Sequence, residues 1–147
     1  VSLFAAHDTE QERSMPAGTI DTWRDLLESK KAFAHLATLM PDGTPQVTPV
    51  WIDYMNGKVW VNSAKGRVKV KNLKPGSPVA ISVTDPDNPY RYVQIRGKVS
   101  RVTEEGASAH IDKMAKKYLG KDKYPWASPD QIRVIYEITP DRAQGMG

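Results

Sequence analysis

The chain has 147 residues, which suits one domain whose hydrophobic core needs no disulfide or structural metal. It contains no Cys and three scattered His, which excludes a disulfide framework, a thiol nucleophile and a Cys-ligated zinc site. A net charge of +4 favours an anionic ligand and does not by itself indicate nucleic acid.

The N-terminal 18 residues are polar and include Pro16 and Gly18, so we expect an N-terminal arm at residues 1–18 ahead of one domain at residues 19–147. This stretch lacks a basic segment followed by an apolar core, and no apolar run in the chain approaches the ~20 residues of a membrane span. We therefore expect a cytoplasmic protein that contacts neither a membrane nor nucleic acid.

The first predicted element is a short helix at residues 19–30, with Thr19 or Asp21 as its N-cap. Strands follow at residues 33–39, 46–54 and 58–63. The last two are joined by Asn56-Gly57, the strongest short signal for a β-hairpin.

Three further strands are predicted at residues 78–84, 90–102 and 132–139, with Gly97 as a bulge or a position of close backbone approach. Between the last two strands, Thr103 is the expected N-cap of a helix that ends at Gly120. Six strands with short connections predict a mainly β fold, an antiparallel barrel with peripheral helices. A Rossmann fold is disfavoured because strands and helices do not alternate and GxGxxG is absent.

The most distinctive segment follows the strand at 58–63 and carries four cations around Gly66, namely Lys65, Arg67, Lys69 and Lys71. A strand that runs through a basic turn into a helix start offers free backbone N–H groups and positive charge, which suits a phosphate. If the segment after Gly66 is helical, residue 69 points about 160° away from residue 71. The four cations then cannot all contact one phosphate.

Catalytic side chains are not evident, since paired carboxylates, a Ser/His/Asp set and a P-loop are all missing from the sequence. We expect His35 to be structural and His110 to face solvent or an interface. Neither a catalytic residue nor a metal site is predicted, so in an enzyme a cofactor would supply the chemistry.

Several short segments, taken in chain order, resemble the pyridoxamine 5′-phosphate oxidase-like split β-barrels. The branch they resemble most is the actinobacterial flavin/deazaflavin oxidoreductases, many of which use coenzyme F420. The segments are Leu36-Ala-Thr38, Pro41-Asp-Gly43, Pro45-Gln-Val-Thr-Pro-Val-Trp51, the basic segment with Asn72-Leu73, Tyr90-Arg-Tyr-Val-Gln-Ile-Arg-Gly97, Met114-Ala-Lys-Lys-Tyr-Leu-Gly120 and Tyr124-Pro-Trp126.

The resemblance implies a six-stranded antiparallel split β-barrel of the FMN-binding type, forming a homodimer with two cofactor sites at the subunit interface. It implies that Arg67 and Lys69 bind the cofactor phosphate, with Lys65 as a further candidate for the phosphate or an anionic tail. The other implied cofactor contacts are Asn62 and Ser63 for the ring or ribityl chain, Gln46, Pro49, Val50 and Trp51 along the ring, and Tyr90 and Tyr92 from the partner subunit.

The function that the resemblance implies is hydride transfer from reduced coenzyme F420 to a small, electron-poor organic substrate. An FMN-dependent oxidase or reductase is the alternative, because FMN shares the tricyclic ring and the phosphate. A third possibility is a non-catalytic barrel that binds nucleic acid or holds a cofactor or tetrapyrrole. Clustering of the cations in one turn, and not along a strand face, argues against nucleic acid.

Overall fold

The structure, a computed structural model, describes residues 17–67 and 71–147. A 3-10 helix at Ala17–Trp23 leads into helix α1 (Arg24–Glu28), and helix α2 (Ala107–Leu119) lies near the C-terminal end. The strands within the described residues are β1 (Ala34–Leu39), β2 (Pro45–Val50), β3 (Asp53–Met55), β4 (Lys58–Ala64), β5 (Pro78–Asp85), β6 (Asn88–Thr103) and β7 (Arg133–Met146). Residues 1–16 of the expected arm, and Lys69, lie outside the described residues.

All seven strands form one antiparallel sheet in the order β2-β1-β5-β6-β7-β4-β3. The two outermost strands, β2 and β3, are neighbours in sequence and are separated only by Trp51 and Ile52. The sheet must therefore curl until its two edges approach each other. Over the described residues no pairing joins β2 to β3, so the sheet stays open there, consistent with a split barrel.

The predicted number of six strands is wrong, because the structure divides the predicted strand 46–54 into β2 and β3. The Ile52 N–H donates to the Tyr118 hydroxyl (3.1 Å) instead of to a neighbouring strand. Ile52, Asp53 and Tyr54 are all buried, so the inside-outside alternation of a strand ends at this bend. We call Trp51-Ile52 the β2–β3 bend.

The main core fills the inside of the curled sheet and is built from alternate residues of its strands. Leu36, Val61, Ile81, Ile95 and Ile138 are each at most 1% exposed. The N-terminal helices pack on this core, since Trp23, Leu26 and Leu27 belong to the same cluster. A second, smaller cluster of Ile111, Met114 and Tyr118 on α2 packs against Trp51 and Tyr124.

The backbone conformation confirms two local predictions. Asn56 (φ 55°) and Gly57 (φ 75°) form the tight turn between β3 and β4 as predicted. Gly97 is confirmed as a site of close approach, because a Cβ there would overlap the Thr139 carbonyl oxygen where the β6–β7 register shifts.

The prediction for the start of α2 is wrong, whereas the prediction for its end is confirmed. The helix begins at Ala107 after Gly106, and the Thr103 hydroxyl accepts a hydrogen bond from the Glu105 amide outside the helix (3.1 Å). Gly120 ends α2 with φ of 71°. No helix in residues 17–67 and 71–147 is long and apolar enough to cross a membrane.

Candidate functional site

A cavity of about 210 Å³ lies where the end of β2, the end of β4, α2 and the start of β7 meet. Five residues that the family resemblance assigned to the cofactor line this cavity, and they come from two separate segments of the sequence, residues 49–51 and 62–67. They are Pro49, Val50, Trp51, Asn62 and Arg67. The other lining residues are Phe33, Ile111, Tyr124, Trp126 and Arg133.

One side of the cavity is an aromatic wall formed by Phe33, Trp51, Tyr124 and Trp126, and Tyr118 packs against this wall without lining the cavity. The Trp51 and Tyr118 rings stack with centroids 5.1 Å apart and planes inclined by 5°, and Phe33 stacks on Tyr118 at 5.6 Å. Tyr124 meets both Trp51 (6.1 Å) and Trp126 (5.5 Å) edge to face. Such a surface is suited to a flat heterocycle.

Helix α2 holds the β2–β3 bend in place and thereby fixes Trp51. The Tyr118 hydroxyl accepts from the Ile52 amide and donates to the Ala32 carbonyl (2.8 Å). The Lys117 ammonium donates to the Ile52 carbonyl (2.7 Å) and the Leu27 carbonyl (2.9 Å). Burial lowers the pKa of Lys117 to about 8 and raises the pKa of Tyr118 to about 12.

Besides the aromatic wall, the cavity is lined by two positively charged guanidinium groups, those of Arg67 and Arg133. None of the described residues lining the cavity is acidic. Arg67 is exposed, whereas Arg133 is only 8% exposed. Burial, opposed in part by Tyr124 and reinforced by the charge of Arg67, lowers the pKa of Arg133. Arg133 nonetheless stays charged in any ordinary buffer. The cavity is therefore positively charged and favours an anionic ligand.

The guanidinium of Arg133 contacts two side chains, and one of its nitrogens lacks a hydrogen-bond acceptor among the described residues. Its Nε donates to Asn62 Oδ1 (2.9 Å), and its guanidinium lies 5.1 Å from the centroid of the Tyr124 ring. Its Nη1 is buried and has no hydrogen-bond partner within residues 17–67 and 71–147. Leaving a buried donor without an acceptor costs ~1–3 kcal/mol, and more for a charged group.

A buried polar network continues from Arg133 through Asn62 and His110 to Asp53. Because Arg133 Nε can only donate, the Asn62 atom facing it is the oxygen, and Asn62 Nδ2 faces His110 Nδ1 (3.1 Å). His110 Nδ1 therefore accepts, and its Nε2–H points to Asp53 Oδ2 (3.0 Å). The expectation that His110 faces solvent or an interface is wrong, since it is 6% exposed.

Asp53 is the acidic end of this network. Burial alone would raise its pKa, but hydrogen bonds from His110, Lys113 and the Tyr54 amide outweigh that effect and hold the pKa below its usual range. The Lys113 ammonium lies 2.9 Å from Asp53 Oδ2. Asp53 is thus an ionised carboxylate that fixes the tautomer of His110.

Five of the predicted contacts do not line the cavity, namely Gln46, Ser63, Lys65, Tyr90 and Tyr92. Gln46 bonds to the hydroxyls of Thr38 (3.2 Å) and Thr48 (3.0 Å). Ser63 is fully buried on the opposite face of β4 from Asn62. Lys65 is half-exposed and forms an ion pair with Glu104 (2.6 Å).

Tyr90 and Tyr92, near the start of β6, do not line the cavity of their own chain. Tyr92 pairs with Thr84 of β5 on one side and with Met146 at the end of β7 on the other. Their contact with the cofactor from a second copy stays a prediction.

Sequence reasoning did not assign Arg133, Tyr124 or Trp126 to the site. The available signal was weak: Arg133 is a charged residue at the head of the apolar run Val134-Ile-Tyr136, where a strand was predicted. In the described residues no group of three or more His, Asp or Glu is arranged to hold a metal ion.

A family model described as pyridoxamine 5′-phosphate oxidase matches residues 19–147. The chain belongs to the pyridoxamine 5′-phosphate oxidase family. Among solved structures, the chain resembles an F420 reductase at 34% sequence identity. The likeness covers 82% of this chain and 94% of the reductase chain, with a TM-score of 0.70. The sequence matches no curated protein.

Solved structures with lower sequence identity also share the fold of the chain. A conserved hypothetical protein from Mycobacterium tuberculosis is 22% identical, covers 89% of this chain and 84% of its own, and has a TM-score of 0.63. An FAD-binding protein from Mycobacterium smegmatis is also 22% identical, covers 87% of this chain and 93% of its own, and has a TM-score of 0.60. The family and these neighbours indicate a flavin-binding type of split barrel and an oxidoreductase.

Proposed function

We propose that this protein is a coenzyme F420-dependent oxidoreductase of the flavin/deazaflavin branch. It would transfer hydride from reduced F420 to a small, electron-poor organic substrate such as an activated enone. The observation that carries the proposal is the cavity itself, which combines an aromatic wall with two guanidinium groups and has no acidic side chain among the described residues that line it. The likeness to an F420 reductase at 34% identity supports the choice of cofactor.

The ring of the cofactor would lie along the end of β2 and the β2–β3 bend. β2 is an outermost strand of the sheet, so the backbone groups on one of its edges have no strand partner in the part of the chain that the structure describes. Pro49 has no N–H, which leaves the amides of Val50 and Trp51 as the nearby candidates for donating to ring carbonyls. The stacked Trp51–Tyr118 pair gives that segment a rigid backing.

The phosphate of the cofactor would meet Arg67 and, from the undescribed part of the basic segment, Lys69. Lys65 remains a candidate for binding an anionic tail of the cofactor, although its ion pair with Glu104 must first break. Ser63 and Gln46 would act by shaping the surroundings of the ring and phosphate, since neither lines the cavity. The proposed assembly is a homodimer in which Tyr90 and Tyr92 of one subunit approach the cofactor of the other.

The reduced deazaflavin would supply the hydride. The chain itself would orient the ring, exclude water with the aromatic wall and balance the negative charge of the phosphate. Tyr124 carries the one hydroxyl among the described lining residues, so it or a water would deliver a proton to the substrate. This assignment fits a site without a carboxylate or a histidine in its lining.

FMN is the alternative cofactor, because it offers the same kinds of contact to the aromatic wall and the arginines. The test compares F420 with FMN in tryptophan-fluorescence titrations, followed by oxidation of reduced F420 in the presence of cyclohexenone. The proposal expects tighter binding of F420 than of FMN and enone-dependent oxidation of reduced F420. Tighter binding of FMN, or oxidation that does not depend on the enone, would overturn it.

A further inference from the structure

Arg133 is a buried cation that lines the cavity. It is more than nine-tenths buried, and its Nη1 has no hydrogen-bond partner among the described residues. Buried arginines are normally paired with a carboxylate, yet none of the described residues that line this cavity is acidic. An anion from outside the chain would supply the missing acceptor.

The orientation of Arg133 is fixed before any ligand arrives. Asn62 accepts from its Nε, its Cζ lies over the Tyr124 ring, and Asn62 is itself held by Ala107 O (2.8 Å) and His110. A guanidinium restrained in this way loses little side-chain freedom when it binds. The network that ends at Asp53 therefore acts on Arg133 as a positioning device.

Arg67 lines the same cavity, and its charge acts on Arg133. Two like charges that share a cavity repel each other unless an anion lies between them. A phosphoryl group suits this arrangement because its several oxygens can accept from two guanidinium groups at once.

We propose that Arg133 is the inner of two arginines that bind one phosphoryl group of the cofactor, with Arg67 as the outer one. This inference rests on the proposed function, because it takes the ligand of the cavity to be a phosphorylated flavin or deazaflavin. Arg133 binds the phosphoryl oxygens, and Asn62 and His110 position it.

The test measures how much the phosphate adds to affinity. Wild-type protein, Arg133→Gln and Arg133→Lys are titrated with FMN against riboflavin, and with F420 against the deazariboflavin that lacks its phosphate. We expect the variants to bind each phosphorylated ligand about 10- to 100-fold more weakly and to bind the phosphate-free counterparts as the wild type does. An equal loss for both members of a pair, or no loss, would overturn the proposal.

The control is Arg24→Gln, which removes the same charge from an exposed ion pair with Glu28 on α1, away from the cavity. Its affinities should equal those of the wild type. Near-UV circular dichroism checks the fold of each variant. If Arg133→Gln does not fold, the ratio for Arg133→Lys decides the matter, since Lys keeps the charge but not the planar fork.

A separate arm distinguishes failure of this inference from failure of the proposed function. If the wild type binds neither F420 nor FMN, the proposed function is contradicted, and the arginines are then tested with pyrophosphate. Protection of the wild type against thermal unfolding that is lost in Arg133→Gln would support the phosphoryl site. Equal protection, or none in the wild type, would overturn it.

Discussion

Trp51 and Tyr118 stack face to face, with ring centroids 5.1 Å apart and an angle of 5° between the ring planes. The pair joins the β2–β3 bend to α2, and the Tyr118 hydroxyl reinforces the join through Ile52 N and Ala32 O. The geometry of the aromatic wall of the cavity therefore depends on Tyr118 of α2, which lies 66 residues after Ile52 in the chain.

Removing that hydroxyl should destabilise the protein while leaving the stack in place. We expect Tyr118→Phe to lower the free energy of unfolding by about 1–3 kcal/mol, because the buried Ile52 amide and Ala32 carbonyl lose a partner. Urea unfolding measures the change. Tyr90→Phe, at a residue 67% exposed, is the control and should leave stability unchanged. Equal stabilities of the two variants would show that the hydroxyl does not hold the bend.

Lys117 should make stability rise with pH in the alkaline range. Its folded pKa of about 8 lies below the ordinary value of 10.5, so between these values the unfolded chain binds more protons than the folded one. The penalty for charging the buried amine is complete below pH 8 and fades as pH rises towards 10.5.

The measurement compares the wild type with Lys117→Met at several pH values. Between about pH 7 and about pH 9.5 the wild type should gain about 2 kcal/mol relative to the variant, on top of a constant difference from the two lost hydrogen bonds. Titrating tyrosines affect both proteins alike and cancel in the difference. A difference that does not vary with pH would contradict the assignment.

Asp53 should stabilise the folded chain above the ordinary pKa of Asp and lose that effect in acid. Because its folded pKa lies below 3.8, the unfolded chain takes up the proton first as pH falls. Asp53→Asn should cost about 2–3 kcal/mol near neutral pH, since hydrogen bonds to a charged group are lost, and the difference should shrink below pH 3.8.

The matched control is Asp122→Asn, whose side chain is 89% exposed in an ion pair with Lys116. Exposed pairs of this kind contribute little, so the control should change stability by less than about 0.5 kcal/mol. Chemical unfolding at neutral and acid pH gives both numbers. A cost for Asp53→Asn as small as that of the control would contradict the role of the network.

Gly97 should not tolerate a side chain. A methyl group there would overlap the Thr139 carbonyl oxygen, so Gly97→Ala must push β6 and β7 apart and should cost about 1–3 kcal/mol. Lys98→Ala, at the next and exposed position of β6, should stay within about 0.5 kcal/mol of the wild type. Guanidinium unfolding of both variants is sufficient, and a neutral Gly97→Ala would mean that the strands separate easily.

The parts of the fold that were predicted correctly are mostly those that a few neighbouring residues determine. The Asn56-Gly57 turn, the Gly97 close approach and the Gly120 helix end each depend on a few neighbouring residues, and all three were found. The β2–β3 bend was missed because its cause is Tyr118 on α2, which no local pattern near Trp51 reveals.

The site residues likewise divide into those in segments that the family resemblance covered and those that only long-range packing brings to the cavity. The residues that the family resemblance assigned to the cofactor include five that line one cavity, Pro49, Val50, Trp51, Asn62 and Arg67, and their contact with a cofactor stays a prediction. Arg133 was missed, since it approaches Asn62 only through the pairing of β4 with β7, 71 residues apart in the chain. Burial of His110 against Asp53 likewise follows from the packing of α2 on the sheet.

The most direct test of the central claim is a titration of the protein with F420, followed by quenching of tryptophan fluorescence. Trp51 and Trp126 line the cavity, so binding there should quench strongly and saturate at one F420 per chain. Arg67→Ala should weaken that binding by about 10-fold without a change in melting temperature. An absence of quenching in the wild type, or the same affinity in a folded Arg67→Ala variant, would contradict the assignment of this cavity as the cofactor site.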